Sequence, residues 1–157
     1  MTRKTVGFAM CGSFCTFSRA IPQIDALIDA GYDVLPIMSY NASTTDTRFG
    51  KAQNFIDEIE EKTKRKIIRT INDAEPIGPK AMTDIMLIAP CTGNTISKLS
   101  YGITDTPVTM AAKSHLRQEK PLIIAIATND ALGASAQSIG RMFNTAARIR
   151  KLNGVRL

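Results

Sequence analysis

Four short and nearly uninterrupted apolar runs constrain the fold of this 157-residue chain more than any other feature. They are residues 6–10 (VGFAM), 34–38 (VLPIM), 85–89 (IMLIA) and 122–127 (LIIAIA). A strand with one solvated face alternates apolar and polar residues, whereas a strand buried on both faces is apolar throughout. The four runs therefore predict strands of a parallel sheet that is covered on both sides.

Helical patterns lie between these runs. Residues 17–28 place apolar side chains at 3.6-residue spacing, residues 49–59 form a second such stripe, and Thr106-Pro107 has the form of an N-cap followed by a first-turn proline. Residues 66–71 (KIIRTI) are a further short candidate strand. Strands that alternate with helices of this length predict a three-layer α/β fold with a doubly wound parallel sheet.

Basic residues are concentrated at the end of the chain. The sequence has 20 Lys and Arg against 14 Asp and Glu, a net charge of +6 and a pI near 9.4. Five of the basic residues follow position 140 and no acidic residue follows Asp130, so residues 1–140 carry only +1. This distribution argues against a body-wide nucleic-acid surface. No repeat, linker or low-complexity segment marks a boundary before about residue 145, so we predict one domain at 1–145 and a basic tail at 146–157.

The three cysteines, Cys11, Cys15 and Cys91, indicate a reducing compartment, because an odd number cannot form a complete set of disulfides. Their spacing matches no zinc motif and the one histidine, His115, supplies no convincing fourth ligand, so we predict no metal site. No apolar run has the length of a secretory leader's core or of a membrane span. We therefore expect a cytoplasmic protein that does not enter the membrane.

Small and hydroxylated residues follow the predicted strands. The segments are residues 11–15 (CGSFC), 39–45 (SYNASTT), 90–95 (PCTGNT) and 128–133 (TNDALG). In a parallel sheet the loops after the carboxyl ends gather at one edge, where ligands bind. Hydroxyls and backbone N–H groups at helix starts form a neutral phosphate cradle, although the same residue types are also common in turns and N-caps. Three such loops on one edge favour a nucleotide-like ligand.

Two common nucleotide motifs do not explain these loops. Gly7 and Gly12 have the spacing of a phosphate-binding P-loop, but Ser13 stands where that motif requires a lysine. No G-x-G-x-x-G follows the first strand, which disfavours a nicotinamide dinucleotide site in this chain.

The third loop belongs to a longer motif. Residues 89–99 (APCTGNTISKL), followed by residues 102–105 (GITD), resemble the A-P-x-(S/T)-(A/G)-N-T-x-x-K…G-x-x-D signature of the FMN-binding cysteine decarboxylase and flavin prenyltransferase superfamily. The resemblance implies a flavodoxin-like, Rossmann-like fold, and it leaves open whether the final strand of that fold is missing here. It fades at the basic tail 146–157, which is therefore divergent or truncated relative to the superfamily. It also implies FMN as a cofactor. The residues that would bind FMN are Gly12, Ser13, Phe14, Ser39, Asn41, Cys91, Thr92, Gly93, Asn94, Thr95 and Thr128.

Longer strings resemble one branch of this superfamily, the dipicolinate synthase B subunits. They are residues 74–80 (AEPIGPK), 102–113 (GITDTPVTMAAK) and 125–133 (AIATNDALG). The resemblance implies an oxidoreductase subunit that converts dihydrodipicolinate to dipicolinate during sporulation and has little activity alone. Its implied partner is the nicotinamide-binding A subunit of dipicolinate synthase, which would hold NADP. The resemblance further implies a homo-oligomer in the cytoplasm of the mother cell.

The same resemblance suggests roles for residues at the ligand edge. Asn129, Asp130 and Lys98 are candidate ligands of the dicarboxylate substrate, and Asn129 and Cys91 are candidate catalytic residues. The decarboxylases have a catalytic histidine at the position that matches Pro76, so their chemistry is disfavoured here. Two alternatives stay open: a stand-alone FMN-dependent decarboxylase or flavin prenyltransferase, and a non-catalytic binding subunit with a vestigial flavin site.

Overall fold

A computed structural model of the protein describes residues 3–144. Its strands are β1 (Thr5–Met10), β2 (Asp33–Met38), β3 (Ile85–Cys91) and β4 (Leu122–Ile126). They form one parallel sheet in the order β2-β1-β3-β4. Each of the four apolar runs forms a strand, and the prediction of a doubly wound α/β fold is confirmed.

Seven α-helices connect or follow the strands within residues 3–144. They are α1 (Phe17–Asp29), α2 (Tyr40–Thr44), α3 (Ala52–Thr63), α4 (Ile71–Ala74), α5 (Gly93–Ser100), α6 (Pro107–Leu116) and α7 (Ala134–Asn144). The predicted helices at 17–28 and after Thr106 are confirmed. The helix predicted at 49–59 begins only at Ala52, where the backbone N–H donates to the Asp46 carboxylate over 2.8 Å.

The candidate strand at residues 66–71 forms only one isolated bridge, between Ile68 and Ile37. Ile68 donates its N–H to the Pro36 carbonyl, and the Met38 N–H donates to the Ile68 carbonyl, both over 3.0 Å. The chain then turns away, because the Thr70 side chain accepts the N–H of Asp73 and caps α4. The strand prediction was therefore wrong beyond this single bridge.

The sheet has an apolar layer on each face. Phe8 and Met10 point toward α1 and α3, and Ala9 and Cys11 point to the opposite face. The first cluster includes Phe17, Ile21, Ile24, Val34, Met38, Ile56 and Ile59. The second includes Ile37, Met86, Ile88, Ile96, Val108, Ala111 and Leu122. Burial on both faces accounts for the uninterrupted apolar runs and gives the three layers of the fold.

The β4 edge of the sheet is less covered than the β2 edge. Ile126 is 40% exposed, and within residues 3–144 no strand pairs with the outer side of β4. The basic tail predicted at 146–157 lies outside the described residues. The expectation that a final strand is missing concerns the same part of the chain and stays a prediction. Among the described helices none is long and apolar enough to cross a bilayer.

Candidate functional site

The loops that follow β1, β2 and β3 meet at the carboxyl edge of the sheet. The Cys11 N–H donates to the Pro90 carbonyl, and the Ser39 N–H donates to the Met10 carbonyl, both over 3.0 Å. On the other side of β3, the Ala127 N–H donates to the Cys91 carbonyl over 2.8 Å. These bonds hold all four strand ends in register, so the polar loops predicted at this edge are brought together.

A cavity of about 360 Å³ opens between these loops, and we call it the hydroxyl-lined cavity. Its walls come from the first three loops, α5 and the start of α6. The lining residues are Gly12, Ser39, Tyr40, Asn41, Thr92, Asn94, Thr95, Lys98, Asp105 and Thr106. The volume falls in the range of small-molecule sites.

Three of the lining hydroxyls are also N-caps. Ser39 accepts an N–H at the start of α2 over 3.2 Å, Thr92 does so for α5 over 3.3 Å, and Thr106 for α6 over 3.1 Å. A hydroxyl that accepts one N–H can still donate its own O–H. Thr92 donates its O–H to the Thr95 hydroxyl over 3.1 Å and Thr106 shares a hydrogen bond of 2.8 Å with the Thr109 hydroxyl, whereas the Ser39 O–H faces the cavity. The caps fix these side chains on the cavity wall, and Ser39 can bind a ligand while it caps α2.

Two buried thiols lie beneath the cavity. Thr95 donates its hydroxyl to Cys11 Sγ over 3.2 Å. The Cys91 thiol hydrogen-bonds to Cys11, which lowers the pKa of Cys11, while this bond and burial raise the pKa of Cys91 well above its ordinary value. Cys91 is fully buried and does not line the hydroxyl-lined cavity. It is a protonated core thiol in the floor beneath the cavity.

Lys98, which lines the cavity, forms an ion pair with Asp105. Lys98 Nζ donates to both carboxylate oxygens of Asp105, over 2.8 and 2.9 Å. The two side chains are brought together by the turn after α5, where Gly102 has a φ of +70°. The cavity therefore offers neutral hydrogen-bonding groups, and an incoming anion competes with Asp105 for Lys98.

The loop after β4 forms a second polar cluster beside the start of α5. The Asp130 carboxylate accepts hydrogen bonds from the hydroxyls of Thr128 and, over 2.7 Å, Ser135. These bonds, Thr128 first, lower the pKa of Asp130 below its ordinary value. A Cβ on Gly93 would lie 2.6 Å from Ser135 Oγ and 3.1 Å from Thr128 Oγ1. Only glycine permits this close packing.

The predicted site residues thus fall into three groups. Gly12, Ser39, Asn41, Thr92, Asn94, Thr95 and Lys98 line the hydroxyl-lined cavity. Gly93, Thr128 and Asp130 pack beside it, and Asn129 is exposed in the same loop. Ser13, Phe14 and Cys91 do not line it. Phe14 contacts Phe17 in an aromatic groove on α1, and the Ser13 carbonyl accepts the Thr16 hydroxyl over 2.7 Å.

The sequence prediction missed three lining residues. Tyr40 follows Ser39 directly, and Thr106 was identified only as a helix cap. Asp105 belongs to the recognised motif, but its pairing with Lys98 had no signal, because the two are seven residues apart across a turn.

His115 takes no part in this site. It is 1% exposed at the opposite end of the sheet, with Nδ1 2.8 Å from Thr83 Oγ1 and Nε2 2.9 Å from the Pro121 carbonyl. A carbonyl only accepts, so Nε2 carries the proton and Nδ1 accepts the Thr83 hydroxyl. Burial lowers the pKa of His115 below its ordinary value. The histidine is a neutral core residue, and within residues 3–144 no metal-binding cluster is present.

Comparisons with known proteins give one consistent result. Residues 1–153 match the flavoprotein family. Over 142 residues the chain is 43% identical to the dipicolinate synthase B subunit of Bacillus subtilis, covering 90% of this chain and 71% of that protein. The crystal structure of the dipicolinate synthase B subunit from Bacillus halodurans C matches with a TM-score of 0.80 at 43% identity, covering 90% of this chain and 73% of that one.

A more distant solved structure has the same fold. It is that of AnUbiX (PadA1) in complex with FMN and dimethylallyl pyrophosphate, with a TM-score of 0.73 at 15% identity. The match covers 94% of this chain and 77% of that one. At this identity the likeness concerns the fold alone.

Proposed function

This chain belongs to the flavoprotein family, and from that premise we propose that it is the B subunit of a dipicolinate synthase. In the proposed reaction dihydrodipicolinate loses two hydrogens and becomes dipicolinate. The nicotinamide-binding A subunit would hold NADP+, which would take one hydrogen as a hydride, and the other hydrogen would leave as a proton to solvent. The observation that carries the proposal is the 43% identity to a dipicolinate synthase B subunit over 90% of the chain.

We propose that the hydroxyl-lined cavity holds the phosphate end of FMN. Its donors fit that group, because Ser39 presents a hydroxyl, Asn41 and Asn94 present amides, and α5 points its N-terminus at the same loop. A Cβ on Gly12 would come within 3.4 Å of Asn41 Cβ, so glycine keeps this wall open. FMN, when bound, supplies an acceptor and donor of two electrons.

The dicarboxylate is proposed to bind at the loop after β4. Asn129 is exposed there and offers amide N–H donors to a carboxylate. Asp130 holds Thr128 and Ser135 in place, and its lowered pKa keeps it negative, so its role toward a dianion is to position its neighbours. Lys98 is a further candidate ligand, if a substrate carboxylate replaces Asp105 as its ion-pair partner. The catalytic roles of Asn129 and Cys91 stay predictions.

We propose that the protein works in the cytoplasm of the mother cell of a sporulating bacterium, as a homo-oligomer bound to the A subunit. Neither nucleic acid nor membrane is a proposed partner. The proposed division of labour gives the nicotinamide to the A subunit, because the loop after β1 of this chain lacks the dinucleotide fingerprint.

Co-expression tests the reaction directly. The chain and the A subunit are purified together and separately, and dipicolinate formed from dihydrodipicolinate and NADP is measured by chromatography. We expect the complex to form dipicolinate and either protein alone to form much less. Full activity of the A subunit without this chain would contradict the proposal. Release of carbon dioxide from a cysteinyl substrate by this chain alone would instead establish the decarboxylase alternative.

A flavin titration tests the cavity separately. Asn94→Ala removes one exposed donor from the cavity wall, and Asn54→Ala makes the same change on the exposed face of α3. Losing one hydrogen bond worth about 1 kcal/mol should raise the Kd for FMN by about five- to tenfold in Asn94→Ala only. Quenching of FMN fluorescence measures both values. Micromolar binding that neither variant changes would place the flavin elsewhere, and no binding would favour the vestigial-site alternative.

A further inference from the structure

A second cavity of about 360 Å³ lies behind α5, on the far side from the hydroxyl-lined cavity. We call it the basic-rimmed cavity. It is formed by the end of α5, the turn after it, α6 and α7. The lining residues are Leu99, Gly102, Ile103, Thr104, Thr109, Lys113, Leu116, Arg117 and Met142. Lys98 and Leu99 are consecutive on α5 but line different cavities, so one helix separates the two.

The interior of the basic-rimmed cavity is apolar. Leu99 and Leu116 pack against the core cluster that covers this face of the sheet, and Met142 is a buried member of that cluster. Ile103 is 46% exposed at the opening, although a branched aliphatic side chain gains free energy when it is buried. An apolar body inside the cavity would cover Ile103 and the exposed parts of Leu99 and Leu116.

Two cations stand at its rim. Lys113 and Arg117 lie one helical turn apart on α6 and its C-cap, and both are exposed. Within residues 3–144 neither has a carboxylate oxygen within 4.0 Å, whereas Lys98 on the other side of α5 is held by Asp105. The rim therefore carries two positive charges that no side chain of the described fold neutralises.

The charge pattern selects the occupant. A nucleic-acid strand would need a track of cations along its backbone, whereas here two cations sit over an apolar interior. A compact molecule with an anionic head and a hydrocarbon body complements both parts.

We propose that the basic-rimmed cavity binds a small organic acid whose carboxylate contacts Lys113 and Arg117 and whose apolar body packs against Leu99, Ile103 and Leu116. Arg117 can donate two parallel N–H hydrogen bonds to a carboxylate, and Lys113 can donate a further charge-assisted hydrogen bond. The site is distinct from the hydroxyl-lined cavity and needs neither flavin nor a partner protein. Its occupancy is therefore independent of the function proposed above.

Two carboxylic acids test the site and show whether it prefers an acyl chain or an aromatic ring. Octanoate represents an acyl chain and 1-naphthoate an aromatic ring, and each is titrated into the 15N-labelled full chain while amide shifts are recorded. We expect saturable shifts at residues 99–104 and 113–117 for at least one probe, and at least tenfold weaker binding of the matching neutral amide. No shifts there at about 10 mM of either acid would overturn the proposal.

Charge removal provides the matched variants. Lys113→Met with Arg117→Met keeps the stems of both side chains and should weaken binding at least tenfold. Arg19→Met with Lys51→Met removes the same charge from exposed positions on α1 and before α3, and should leave the affinity unchanged. Ile103→Asn should raise the Kd of whichever acid binds more tightly by about threefold to fivefold, because it removes apolar contact at the opening. Equal affinities in the two double variants would overturn the carboxylate contact, and thermal melting confirms that each variant is folded.

Discussion

The two ends of the parallel sheet carry similar polar groups but use them differently. At the amino end His115 bonds both Thr83 and the Pro121 carbonyl, and Lys120 donates to the Thr83 carbonyl over 2.6 Å. At the carboxyl end the capping hydroxyls of Ser39 and Thr92 face a cavity. The first network is closed inside the fold, whereas the second is open to a ligand.

This difference predicts that the amino end stabilises the fold and that the carboxyl end binds the ligand. A buried polar group that loses its partner costs more free energy than one that water can reach. Changes at the amino end should therefore reduce the stability of the fold and leave ligand affinity unaltered. Changes at the carboxyl end should alter affinity with little effect on stability.

Gly78 at the amino end gives the largest expected effect. A Cβ there would lie 2.1 Å from the Ser114 carbonyl oxygen, so α6 or the segment before β3 must move. Gly78→Ala should reduce the free energy of unfolding by about 3 kcal/mol or more. Denaturant unfolding followed by circular dichroism measures this loss.

Gly140→Ala is the matched control for Gly78→Ala. Gly140 lies within α7, and among residues 3–144 nothing beyond its own helix comes within 4 Å of its added Cβ. The substitution should stabilise the protein by about 0.5 kcal/mol, because alanine is the better helix former. Equal losses in the two variants would show that the contact with Ser114 is not the cause.

His115→Ala should have the next largest effect. It leaves the Thr83 hydroxyl and the Pro121 carbonyl without their partner and opens a void in the core. We expect a loss of about 2 to 3 kcal/mol in the free energy of unfolding and an unchanged Kd for FMN at a temperature where the variant is folded. A large change in the Kd for FMN without a change in stability would contradict a structural role for His115 and would place it in ligand binding.

The sequence predicted the layers of the fold better than the details of its site. Uninterrupted apolar runs reveal strands that are buried on both faces, and an N-cap followed by proline marks a helix start, so the four strands and the helix after Thr106 were found. The apolar run at 85–89 stops two residues before β3 does, because Cys91 still pairs with Ile126. Cys91 was consequently assigned to the ligand loop, whereas the extra strand residues turn it into the core beside Cys11.

Charge substitutions at the hydroxyl-lined cavity should change flavin affinity in opposite directions. Asp105→Asn frees Lys98 for the FMN phosphate and should lower the Kd by about threefold to tenfold, whereas Lys98→Met leaves Asp105 facing the phosphate and should raise it by a similar factor. Asp57→Asn on α3 is the control. Both effects should shrink at high salt, because exposed charges are screened. Effects of the same sign in the two variants would contradict a phosphate in this cavity.

The smallest expected effect is the pH dependence of stability, and it comes from the amino end. The pKa of His115 is lowered by burial in the folded state, so between that value and the ordinary value near 6.5 the unfolded chain binds the additional proton. The histidine's contribution to stability is therefore complete above the ordinary pKa and declines as the pH falls below it. The lowered pKa values of Asp130 and Glu60 affect stability only at more acidic pH, below their ordinary values. Denaturant unfolding at about pH 7.5 and 5.5 should show a decline in the native protein and a flatter response in His115→Asn, whose amide cannot take up a proton. If the stability of both proteins falls equally between the two pH values, the titrating group is not His115. If flavin affinity falls while stability does not, the titrating group lies at the carboxyl end.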